Sequence, residues 1–220
     1  MEILHHQLSS TADRIVINIL NQLSKEVQFY NTDEETSFCE EMDNKYYVHV
    51  STRTSEFEDN LVHEMCHLIQ YENKYPMIKT RKNLDKNTKN IVSSIQNIVL
   101  DLEVDQRLKE YGYNTKKNTM KYDTYYPLIK KLKPSLGNMP IEMIRELSVE
   151  ILHIMIHDST YHAESLLKYT DKSSLEIRKN VYYMYDIIKP YLISGINKSN
   201  IPVLYSELIG RLSDVEISIE

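Results

Sequence analysis

His63 and His67 stand four residues apart in the run Leu61-Val62-His63-Glu64-Met65-Cys66-His67-Leu68. On an α-helix, residues i and i+4 lie one turn apart on the same face, so both imidazoles can aim a ring nitrogen at a single divalent ion. Glu64 stands beside that pair, placed to take a proton from a water that the ion has made more acidic. Zn²⁺ suits such a donor set, since a catalytic zinc takes three protein ligands and keeps one position open. With 8 histidines in 220 residues, a random chain of this composition yields roughly 0.03 matches to the pattern HExxH. The bland alternative is a surface helix with two solvated histidines. On a helical wheel, however, Phe57, Leu61, Met65 and Leu68 share one apolar arc with Val62 and Ile69 at its edges, and both histidines fall roughly opposite it. Cys66, inside the motif, is expected as a small buried residue outside the metal shell.

A third ligand is sought in the stretch Asn97-Ile98-Val99-Leu100-Asp101-Leu102-Glu103-Val104-Asp105. At helical spacing Asp101 and Asp105 share a face while Glu103 points nearly the other way. Asp101 is the expected ligand and Asp105 the expected orienting partner for a histidine N–H. Glu103 is the alternative third ligand, and a merely solvated acidic face is the alternative to both.

A helix bearing HExxH, followed by an acidic helix, resembles the gluzincin metallopeptidases, among them thermolysin-like and HtpX-like enzymes. Their second helix carries a Glu-x-x-x-Asp element, and Asp101-Leu102-Glu103-Val104-Asp105 stands in its place, with aspartate where the family has its glutamate. The resemblance covers approximately residues 37–110. It implies a zincin-like core, one Zn²⁺, and hydrolysis of peptide bonds in a peptide or protein substrate with Glu64 as general base. It also implies an edge strand that holds extended substrate, a place occupied by Lys45 to Ser51. Two other functions fit the same residues: a non-enzymatic interaction protein on a zincin scaffold, and a zinc hydrolase of non-peptide substrates.

The elements that must position these side chains follow from periodicity and turn chemistry. Leu8 to Phe29 reads as a helix, and Ser37 to Ser51 as a hairpin around Asp43-Asn44. A helix from about Glu56 to Glu72 is announced by Ser55 and Glu58 as a capping box. A second runs from about Asn90 to Glu110, on a stripe of Ile91, Ile95, Ile98 and Leu102, and ends at Gly112. Pro127, Pro134, Gly137 and Pro140 predict a looser connection. Helices are then expected near Ile141 to His157, Ser174 to Ile188 (with Ser173 and Glu176 as a capping box) and Val203 to Leu212. The fold class is α+β and mainly helical: a zincin-like catalytic lobe over residues 1–115 with a small hairpin or sheet, and a helical C-terminal lobe over 116–220.

Glu146, Glu150, His153 and His157 recur at helical spacing as a polar stripe on an otherwise apolar helix, and such a stripe wants a polar neighbour. His157, or nearby Tyr161 or His162, is the candidate for stabilising an oxyanion as the attacked carbonyl gains charge. The competing expectation is hydrogen-bonded or exposed histidines. A second metal at His153 and His157 has no identified base.

The bulk properties limit the partners. Hydrophobic residues at 41% and charged residues at 26% are enough for a sizeable core. A net charge of -6 without a long basic run argues against nucleic acid or an anionic membrane as partner. Cys39 and Cys66 cannot make a disulfide framework, and the first residues lack a signal-peptide pattern, so a cytoplasmic location is expected. No apolar run approaches the ~20 residues of a membrane span.

Overall fold

The computed structural model describes residues 1–33, 37–52, 56–79, 85–113, 120–158, 160–170, 174–212 and 218–219. The chain is α+β and mainly helical, and it divides into two compact units. The first comprises Met1–Tyr75 and Glu103–Lys116, the second Pro76–Leu102 and Lys117–Glu220, so residues 76–102 group with the C-terminal half. Among the described residues no helix is long and apolar enough to cross a membrane.

In the first unit, β1 (Glu2–Ile3) and β2 (His6–Gln7) pair antiparallel ahead of α1 (Ser10–Leu20). Ser9 caps α1 by accepting from the Ala12 N–H, and its own N–H and hydroxyl donate to Glu58 at 2.7 and 2.8 Å. Glu58 therefore secures the start of α1. The expected box partner Ser55 lies outside the described residues, as does Ser173.

α1 stops at Leu20, and Val27–Asn31 forms strand β3, correcting the single long helix expected there. Val27, Phe29 and Tyr30 favour a pleated surface, and β3 finds a parallel partner in β5 (Lys45–Val50). β4 (Phe38–Met42) and β5 make the expected hairpin. Asp43 and Asn44 both have positive φ, 51° and 61°, as a two-residue type I′ turn requires and as Asp and Asn tolerate best among non-glycine residues. The strand order is β3-β5-β4. Lys45 to Ser51 is therefore not an edge: β5 is bonded on both sides, and β4 is the edge that continues the hairpin.

α2 (Phe57–Glu72) lays its apolar arc on this sheet and α1. Phe57, Leu61, Val62, Met65, Leu68 and Ile69 are all buried beside Tyr46, Val48 and Val50. Each such side chain contributes roughly 1.5–3 kcal/mol on leaving water, which fixes the helix's rotation and hence the direction of its polar face.

The second unit carries a short strand β6 (Ile78–Lys79) and most of α3 (Lys86–Glu110), the 25-residue helix whose last turns belong to the first unit. Asp85 starts α3 by accepting from the Thr88 N–H at 2.9 Å. Gly112 ends it at φ +72°, where the Tyr113 N–H reaches back to the Leu108 carbonyl. The connection beyond is helical and not loose. α4 (Met120–Leu132) contains Pro127, and a 3-10 segment (Lys133–Asn138) precedes α5 (Ile141–His153). Burial of Ile129 and Leu136 at 0% exposure overrides the roughly 3 kcal/mol that an interior proline costs. A π-helical segment (Ile154–Asp158), α6 (Thr160–Thr170), α7 (Leu175–Ser194), α8 (Ile201–Leu212) and β7 (Ser218–Ile219), which pairs with β6, complete the unit.

Candidate metal centre

On the half-buried face of α2, the Nε2 atoms of His63 and His67 lie 3.1 Å apart, with ring centroids 4.8 Å apart at 76°. Two nitrogens held at about 2.0–2.1 Å from one tetrahedral zinc are separated by about 3.3 Å. The histidine pair thus already has the spacing that a shared ion demands.

The protonation of His67 is set from behind. Gln70 Nε2 donates to Glu103 Oε2 at 2.8 Å, and His67 Nδ1 lies 2.8 Å from Gln70 Oε1. A carboxylate only accepts, so the amide must turn its nitrogen to Glu103 and its oxygen to His67. The Nδ1 atom of His67 then carries the hydrogen and Nε2 keeps its lone pair for a ligand. Gln70 and Glu103 are 0% and 5% exposed, so this relay is shielded from water.

Glu103 also accepts from the Tyr75 hydroxyl at 3.0 Å and pairs with Arg107. Burial works against the charge of Arg107, and Glu103 more than offsets it, holding the guanidinium above its usual range. Burial and then the Glu103 charge push the Tyr75 phenol up to about 12. The sequence assigned Glu103 the face away from Asp101. The structure fills its carboxylate with three donors.

α3 is fastened to α2 by that Gln70–Glu103 bond, and Asp101 stands two residues earlier on the same helix. Like His63 and His67, Asp101 is half-buried. Asp105 is half-buried one turn further on. Asp105 was expected to orient a histidine; on His67 that role belongs to Gln70. An uncharged amide gave no signal, although its i+3 position from His67 offered one. We expect Gln70→Ala to weaken zinc binding by about 10 to 100-fold, as for other orienting partners, in a chain that stays folded. Competition against a chromophoric chelator measures it, and an unchanged affinity would remove the relay from the account.

Glu64 is buried at 9% exposure, and its charge helps to raise the pKa of the Cys39 thiol of β4. Burial, and then the negative charge of Glu64, raise that thiol well above its usual pKa, so Cys39 is a protonated donor at neutral pH. Cys39 was not singled out from the sequence. Cys66 is fully buried, and burial pushes its thiol up to about 12.

The polar stripe of α5 finds its neighbour on α3. Glu146 accepts from Asn90 at 3.4 Å and Glu150 from Ser94 at 3.3 Å. His153 Nε2 lies 4.0 Å from Asp101 Oδ2, and His157 Nε2 is 3.3 Å from the Ile98 carbonyl. Tyr161 is 73% exposed, its ring 5.8 Å from that of His162 on α6. Comparison of the chain with protein-family models, with curated proteins and with solved structures gave no match.

Proposed function

We propose that the chain is a zinc-dependent metallopeptidase with a zincin-like core. The observation that carries this is the His63–His67 pair, 3.1 Å between Nε2 atoms, with the His67 lone pair directed by Gln70 and Glu103, next to a buried glutamate. His63, His67 and Asp101 would hold the ion. When bound, zinc acts as a Lewis acid toward a carbonyl and makes water a stronger acid near neutral pH.

The remaining steps fall to the protein's own groups. Glu64 accepts a proton from the attacking water and delivers it to the leaving amine, so one carboxylate serves as base and then as acid. Among the described residues one side of the β4 backbone, Phe38 to Met42, is unpaired, and the main chain of an extended peptide can pair with it as an added strand. This places the substrate strand on β4, beside Glu64, in place of Lys45 to Ser51.

The test is cleavage of a mixed-sequence peptide pool by zinc-loaded protein, read by mass spectrometry against a panel of small amides and esters. New peptide termini that vanish with a chelator are expected. Turnover of the small panel alone would make the chain a zinc hydrolase of other substrates. Stoichiometric zinc with no turnover of either would leave it a binding protein on this scaffold.

A further inference from the structure

His153, the last residue of α5, and His157, inside the π-helical segment, repeat the geometry of the first histidine pair. Their ring centroids are 4.7 Å apart at 76°, against 4.8 Å and 76° for His63 and His67. The ligand atoms of Asp101, His153 and His157 lie within 4.8 Å of one another, again all half-buried. Here too a neighbour selects the tautomer. The Ile98 carbonyl only accepts, so His157 Nε2 carries the hydrogen that faces it at 3.3 Å. The π segment that begins directly after His153 is a form of helix frequently found at functional sites.

A second, independent observation comes from α8. Tyr205 is 0% exposed, and its hydroxyl has no hydrogen-bond partner among the described residues. Leaving a buried polar group unsatisfied costs about 1–3 kcal/mol. Burial and then the Asp101 carboxylate raise the pKa of this phenol. An acceptor such as a water or anion on a cation bound at Asp101 would satisfy it.

We propose that Asp101, His153 and His157 form a second divalent-metal site, carried by the second unit's own residues. Two imidazoles and one carboxylate suit a first-row transition ion such as Zn²⁺ or Co²⁺ and do not suit Mg²⁺ or Ca²⁺, which take oxygen donors. Asp101 is also the expected third ligand of the first site, and its two oxygens would allow it to serve an ion in each. His157 is then a metal ligand, in place of the oxyanion role expected from the sequence.

The experiment is metal content of the full chain, loaded with Zn²⁺, desalted and measured by elemental analysis, with circular dichroism to confirm folding. Wild type is expected to hold two equivalents, the His153→Ala/His157→Ala double variant one, and the His63→Ala/His67→Ala double variant one. A wild type with one equivalent that survives loss of His153 and His157 overturns the second site. So does one equivalent that is lost in both double variants, since all the ligands would then share a single ion. One equivalent lost only with His153 and His157 would support this site while overturning the peptidase centre. If the alanine variant misfolds, the milder His153→Gln/His157→Gln variant replaces it. Co²⁺ bound to the His63→Ala/His67→Ala protein gives the parallel readout: visible ligand-field absorption is expected, and its absence counts against the site.

Discussion

Replacing either His63 or His67 with alanine is expected to remove one equivalent of tightly held zinc and, with it, peptide hydrolysis. A centre with three protein ligands that loses one imidazole keeps only two, too few for tight binding beside an open position. The loss should be severe for His67, because its Nε2 is the nitrogen whose lone pair the Gln70–Glu103 relay directs. His63 contributes the second nitrogen, 3.1 Å away, and should be equally indispensable. Because the apolar arc of α2 lies on the opposite face, neither change should cost much packing. Elemental analysis with thermal unfolding checks both expectations. Wild-type zinc content in both variants would sink the assignment.

Glu64→Gln should retain zinc and fold while turnover falls by about 10² to 10⁴-fold, the usual contribution of a positioned general base. The amide has nearly the same shape, so it fits the same buried place beside Cys39, but it cannot accept the proton of the attacking water. Steady-state cleavage of the best peptide, with zinc content measured on the same samples, isolates the effect. Unchanged turnover at full zinc would take Glu64 out of the mechanism, even with the histidine pair intact.

The part of this centre that was legible in the sequence is the part encoded locally. Four-residue spacing put His63 and His67 on one face, and the wheel placed Phe57, Leu61, Met65 and Leu68 where they are found buried. Asp43-Asn44 announced its hairpin because a two-residue turn with positive φ admits few residue types. Non-local choices were not legible. Val27 to Asn31 fits a helix as well as a strand until its parallel partner is known, and that partner, Tyr46 to Val50, lies 19 residues further along. The same missing pairing made β5 look like an edge. Pro127 suggested a break because a lone proline says nothing of the burial around it. Glu103 was put on another face from Asp101 by helical spacing alone. Which partners that face would meet depends on how α3 docks on α2, and helical periodicity carries no such information.

The edge position of β4 has a consequence for how the protein behaves in concentrated solution. A strand with an unpaired side can accept the same strand of a second molecule, and exposed Phe38 and Met42 add apolar attraction to that hazard. Glu40 and Glu41 stand between them. In an antiparallel match centred between Glu40 and Glu41, Glu40 of one molecule would face Glu41 of the other, and like charges directly opposed disfavour the pairing. The same two acids would favour an incoming strand that carries lysine or arginine at the facing positions. One short acidic pair can thus guard the edge against self-association and bias which polypeptides it admits.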